Sequence, residues 1–191
     1  MPEESDDVPL RTMTGPAGVG AEPDAGVAVD LGAPAWTGAL DDAEAVCRRA
    51  VAAARAEAEV PAGEVSIVLA DDAFIRALNR THRGKDRATD VLAFPQIEAG
   101  ADASAGGPAL LGDVVVAYET AARDAAAADK RLGDHLAHLI VHGVLHLAGH
   151  DHENDREAAA MEALERAALA RLGIADPYVD TVGAATAPAA E

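Results

Sequence analysis

His142-Gly143-Val144-Leu145-His146-Leu147-Ala148-Gly149-His150-Asp151-His152 holds four of the chain's seven histidines in eleven residues. His142 and His146 are four apart, and Leu136, Leu139, Ile140, Val144, Leu145 and Leu147 supply the apolar residues of a helix around them. Residues at i and i+4 of a helix lie one above the other, roughly 5–6 Å apart between Cβ atoms, so two imidazoles can reach one metal ion. His152 cannot join them on an unbroken helix. Ten residues on, it would sit roughly 15 Å along the axis and about 80° off the face. The helix therefore has to stop, and Gly149 is where it can, because glycine takes the left-handed turn that ends helices at little steric cost. The spacing predicts a helix over 133–148 and a turn that brings His152 back to the pair.

Three protein ligands leave the fourth position of a tetrahedral zinc open, the arrangement of catalytic sites, whereas structural sites are closed by four. A closed site here needs His150, Asp151 or Cys47 as its fourth member, and one histidine per arm favours the open form. His150 reads as a residue bonded within the turn. Asp151 reads equally as the orienter of an imidazole or as a turn cap. His138 and His135, on the same helix, read as packed or surface histidines rather than ligands. The spacing His-x-x-x-His-x-x-Gly-x-x-His also occurs in metzincin proteases, where a Glu after the first His is the general base. Gly143 takes that place here, so a protease built this way lacks its proton acceptor.

Further blocks extend the pattern: Leu78-Asn79, Arg83-Gly84-Lys85-Asp86, Thr89-Asp90-Val91-Leu92-Ala93-Phe94-Pro95, Leu111-Gly112-Asp113 and Asp176-Pro177-Tyr178. With the histidine block they resemble the YbeY family, bacterial metal-dependent endoribonucleases that mature ribosomal RNA, over roughly residues 60 to 178. The match departs at His82, Ala88 and Ala93, where the family often has Tyr, Pro and Ser. The resemblance implies one Zn2+ ion on His142, His146 and His152 and a catalytic role for Arg83. It implies single-strand-specific cleavage at the 3′ end of 16S ribosomal RNA and a part in ribosome quality control. Ribosomal RNA, the small ribosomal subunit and an assembly GTPase are the partners it implies, with no DNA among them.

The chemistry is coherent with that expectation. Zinc on three neutral histidines is a Lewis acid and lowers the pKa of a bound water to about 7. Phosphodiester cleavage concentrates negative charge on non-bridging oxygens, which a planar guanidinium such as that of Arg83 matches. Taken alone, Arg83 reads as a surface arginine beside a turn glycine. Asp90 and Asp113 read as caps of strand ends. Two rival functions stand beside the nuclease: a metal-dependent hydrolase of peptides or small molecules, and a non-catalytic ribosome-assembly factor whose metal is structural.

Composition sets the frame. A chain of 191 residues predicts one domain. Half the residues are hydrophobic but only 3% are aromatic, so the core is expected to be built of Leu, Val, Ile and Ala. No run of eighteen apolar residues exists, and the acidic start at Glu3, Glu4, Asp6 and Asp7 is the opposite of a signal peptide's. The lone Cys47 forms no intramolecular disulfide and reads as a small buried hydrophobe. These features predict a cytoplasmic protein without a membrane partner.

The net charge of −18 argues at first against a nucleic-acid enzyme. Its distribution is uneven. Residues 1–35 carry seven acids against Arg11 alone, and residues 174–191 carry three acids and no Lys or Arg, together half the excess. Arg76, Arg80, Arg83, Lys85 and Arg87, a third of all basic residues, fall within twelve positions. That segment reads as a solvated helix face and loop on its own, and as an RNA docking surface beside a metal site.

Along the chain, residues 1–26 are expected to be a disordered acidic tail, 27–173 a single catalytic domain, and 174–191 a flexible C-terminal tail. Strands are expected at 27–29, 65–70, 90–94 and 111–118. Helices are expected from Asp41 or Asp42 to 59, from Asp71-Asp72 to 81, over 119–129, over 133–148 and over 154–172, with a loop at 97–108. The sum is an α+β fold, a small mixed β-sheet packed against helices, with the zinc site on a helix and the following turn.

Overall fold

The computed structural model describes residues 26–61, 63–96, 110–152 and 154–179. The expectations for residues 1–25, for the loop at 97–108 and for 180–191 lie outside the described residues. Ten elements follow in chain order: β1 Val27–Asp30, α1 Pro34–Ala39, α2 Ala43–Glu57, β2 Glu64–Ala70, α3 Asp72–Arg83, β3 Val91–Pro95, β4 Leu110–Ala117, α4 Tyr118–Ala127, α5 Leu132–Leu147 and α6 Asp155–Arg171. The α+β class is as expected.

The four strands form one sheet in the order β1-β2-β4-β3. β1, β2 and β4 are parallel, and β3 pairs antiparallel on β4, with Val91 opposite Val116 and Pro95 opposite Gly112. β4 is buried along its length beyond Leu110, as an inner strand covered on both faces must be. Alternate side chains then serve two cores. Val114 and Val116 join Val65, Ile67, Leu69 and the helices α2, α5 and α6, while Val115 and Ala117 face Ile75 and Leu78 of α3. At Gly112, φ is +146°, and a Cβ would meet Phe94 O at 2.2 Å. Only glycine lets β3 close on β4 there.

Local sequence sets the element ends. Asp71 caps α3 by accepting from Phe74 N at 2.8 Å, and Asn154 caps α6 by accepting from Glu157 N at 3.0 Å. Asp42 stands at the N-cap of α2 but makes no side-chain cap bond, and pairs with Arg49 instead. The short helix α1, which begins with Pro34 at its first turn, has no counterpart among the expected elements. It carries Trp36, fully buried, whose indole N–H donates to Ala70 O at 3.0 Å. Cys47 is buried on α2, and burial pushes its thiol up to about 12.

Candidate metal centre

α5 is the helix that carries the site, and its surroundings explain its composition. Leu136, Ala137, Leu139, Ile140, Val141, Gly143, Val144, Leu145 and Leu147 are all buried, against β3 and β4 on one side and α2, α4 and α6 on others. A helix so enclosed has one narrow stripe for polar groups. His135, His138, His142 and His146 recur at spacings of three and four and lie along it.

Gly143 is where α5 presses on β4. A Cβ there would lie 2.6 Å from Val114 Cγ1, well inside contact distance. The position that would hold a metzincin's glutamate is therefore occupied by the sheet, and no side chain of any kind fits without displacing it.

The helix ends as its sequence requires. Gly149 has φ +88°. Its N–H donates to His146 O at 3.0 Å, and the N–H of His150 donates to Leu145 O at 3.0 Å. This paired closure reverses the chain. His152 returns beside the two helical histidines, its ring centroid 5.7 Å from that of His142 and 5.1 Å from that of His146. One ring nitrogen from each of His142, His146 and His152 lies within 4.8 Å of the others.

Glu165 of α6, absent from the residues singled out in the sequence, stands behind this group. It is 1% exposed, and His142 Nδ1 donates to its Oε1 at 2.7 Å. His138 Nε2 lies 3.1 Å from Oε2, and the Tyr178 hydroxyl donates to the same oxygen. Burial alone would raise the proton affinity of this carboxyl. The bonds from His138, His142 and Tyr178 outweigh it and hold the group well below the ordinary glutamate value. A signal was present in the sequence: Glu165 sits four after Met161 and three before Ala168, on the stripe of α6 that faces the core. A carboxylate on a core stripe needs a partner that offsets its desolvation, and the histidine row is that partner.

The donor set suits a metal ion. With its proton on Nδ1, committed to Glu165, His142 turns the lone pair of Nε2 outward. That nitrogen is 3.1 Å from His146 Nε2, close to the separation of about 3.3 Å for two ligands on a tetrahedral zinc with bonds of 2.0–2.1 Å. Burial, then the neighbouring His142 and His152, lowers the proton affinity of His146, which favours the neutral form that ligates. His152 is exposed and on a turn, and so is the member of the three with freedom to adjust.

The other expected residues fall as follows. Asp151 accepts from His152 N at 2.8 Å and so shapes the turn. Asp90 accepts from Val91 N at 2.9 Å at the entry to β3, and Asp113 accepts from Gln96 Nε2 at 2.6 Å. His138 is bonded to Glu165. Both ring nitrogens of His135 are buried without a hydrogen-bond partner among the described residues, and burial lowers its proton affinity.

Arg83 lies elsewhere. It ends α3, followed by Gly84 at φ +66°. With Lys85, Arg87, Asn79, Thr89, Asp90 and Arg123 it lines a hollow that shares no lining residue with the one around His142 and His152. Asn79, buried, shapes this basic loop: its Nδ2 donates to Arg87 O at 2.8 Å and its backbone carbonyl accepts from Lys85 N at 3.2 Å. Arg76 is taken out of the expected basic group by a two-pronged pair with Asp86, at 2.8 and 2.9 Å. Arg123 of α4, distant in sequence, is brought into it. Asp90 and Asp124 of the basic hollow act electrostatically on His135, and His142 follows seven residues later, about 10 Å along the axis.

Comparison with known proteins gives this arrangement its context. A curated relative from Paramagnetospirillum magneticum, named endoribonuclease YbeY, is 54% identical over 155 residues, covering 80% of this chain and 94% of its own. One from Rhodopseudomonas palustris with the same name is 49% identical over 144 residues, covering 74% of this chain and 84% of its own. A solution structure of a Thermotoga maritima protein aligns with 81% of this chain and 99% of its own, at 22% identity and a TM-score of 0.47. The sequence model of endoribonuclease YbeY matches residues 37–173, which takes in every element from α2 to α6 and all three clustered histidines. The chain belongs to the YbeY endoribonuclease family.

Proposed function

We propose that this protein is a zinc-dependent endoribonuclease that cleaves single-stranded RNA at the 3′ end of 16S ribosomal RNA, and that it acts in ribosome maturation and quality control in the cytoplasm. The observation that carries the reading is the convergence of His142, His146 and His152 to within 4.8 Å at the end of α5. Family membership supports the nuclease activity. The catalytic unit comprises residues 27–173, with the small ribosomal subunit and an assembly GTPase as partners.

A zinc ion held by the three imidazoles supplies Lewis acidity toward a phosphoryl oxygen or an attacking water. Glu165 keeps the proton on His142 Nδ1, which fixes both the tautomer and the ring plane. Arg83 offers a planar pair of N–H donors to non-bridging phosphate oxygens, whose charge grows as the bond breaks. Lys85, Arg87 and Arg123 beside it hold the flanking backbone. Gly143, packed on Val114, provides no general base and makes a peptidase of the glutamate-dependent kind unworkable.

Metal stoichiometry measured together with cleavage of single-stranded RNA tests this reading. Wild type should bind one zinc ion per chain and cut, and His146→Ala should lose at least a hundredfold in cleavage while still binding RNA. A folded His146→Ala that cuts at the wild-type rate would refute it. A 2′,3′-cyclic phosphate among the products identifies attack by the ribose hydroxyl, and a 3′-hydroxyl paired with a 5′-phosphate identifies attack by water.

A further inference from the structure

Tyr178 lies beyond the last helix, yet its hydroxyl reaches the carboxylate behind the histidines. The route is built in several steps. Two residues past α6 stands Gly173 at φ +71°, whose N–H donates to Ala170 O, while Ile174 N–H donates to Leu169 O, both at 3.0 Å. This turns the chain back. Asp176 then accepts from Tyr178 N at 2.9 Å and pairs with Arg166 at 3.3 Å. Lys130 Nζ donates to Pro177 O at 3.2 Å. The Arg166 guanidinium stands 5.0 Å over the Tyr178 ring, and the edge of that ring meets His138 at 5.8 Å between centroids.

Anchoring the segment after α6 accounts for the bonds to Asp176 and Pro177, which involve groups at or near the surface. It does not account for a phenol carried into the hollow lined by His142, His152 and Met161, with its hydroxyl on Glu165 Oε2. A carboxylate turns freely about its last bond unless its oxygens are held. Here Tyr178 and His138 share Oε2, and Oε1 is thereby aimed at His142 Nδ1.

On the reading of the three histidines as a metal site, we propose that Tyr178 is a positioning residue of that site: by occupying Oε2 of Glu165 it fixes the carboxylate that orients His142, and so sets how tightly the ion is held. Groups one bond removed from a ligand typically change metal affinity 10–100-fold. Tyr178 is two bonds removed and shares its work with His138, so Tyr178→Phe should weaken Zn2+ binding by about tenfold.

The experiment is a Zn2+ competition titration against a chromogenic chelator, with Co2+ absorption as a second readout, on wild type, Tyr178→Phe, Glu165→Gln and the double variant. Tyr178 is 40% exposed and Phe keeps the ring, so the variant folds, as circular dichroism will verify. The proposal predicts weaker Zn2+ binding and a shifted Co2+ band for Tyr178→Phe, and no further loss when it is added to Glu165→Gln. Wild-type affinity and spectrum in Tyr178→Phe, with at most a lower melting temperature, would overturn it. So would losses that multiply in the double variant. A wild-type protein that takes up neither ion would instead overturn the metal reading itself.

Discussion

At position 143 a single hydrogen stands where a side chain would collide with Val114 Cγ1 at 2.6 Å. Gly143→Ala must push α5 off β4 or distort Val114, which costs about 1–3 kcal/mol for an added methyl in a filled core. Thermal or urea denaturation should show that loss, and an unchanged melt would mean that the helix and sheet do not touch at this point. The missing glutamate was legible in the sequence, because a residue's identity is enough to show that a base is absent. The reason for the glycine was not, since it depends on Val114, far back along the chain. Glu165 was hidden for a related reason. It lies on the next helix after His142, and only the packing of α6 on α5 brings them together. Arg83 stood out in the sequence through its motif, but the chain gave no indication that Arg123 shares its hollow.

α5 and the turn after it form the element on which the proposed chemistry rests. Its start, its end and its row of histidines were all legible, since helical spacing of apolar residues, a terminal glycine and a repeated histidine are local signals. α1 was not. Six residues give too little periodicity to detect, and what stabilises it is the burial of Trp36 against the end of β2, a tertiary effect. The closure at Gly149 is the element's most exposed dependency. At φ +88° any other residue bears a left-handed backbone, at about 1–2 kcal/mol. Gly149→Ala should therefore lower stability by about that amount and, because His152 follows the turn, weaken Zn2+ binding in the same protein. Calorimetry and the chelator titration check the two halves. A destabilised variant with undiminished affinity would mean that His152 does not need this turn.

Over the whole chain the net charge is −18, yet four basic side chains gather in one hollow. A chain of this net charge repels RNA at long range, so productive binding is expected where Arg83, Lys85, Arg87 and Arg123 gather. Replacing Arg83 and Lys85 by Glu should weaken single-stranded RNA binding strongly and reduce the slope of log affinity against log salt by about 0.7 for each phosphate no longer neutralised. Zinc stoichiometry should be unaffected. Binding measured across a salt series checks this, and a slope equal to that of wild type would place the RNA elsewhere. A mixed sheet was expected and the strands were legible in alternation and turn signals, whereas which strand runs antiparallel, β3 on β4, was not, because strand order is decided by how helices cover two faces. The sealing of Cys47 inside α2, its thiol pushed up to about 12, has a practical side. With the sole native sulfhydryl inert while the chain is folded, a cysteine placed at exposed Val179 can be labelled selectively with a fluorophore. Its emission would then report directly whether the segment bearing Tyr178 stays docked as ion and RNA come and go.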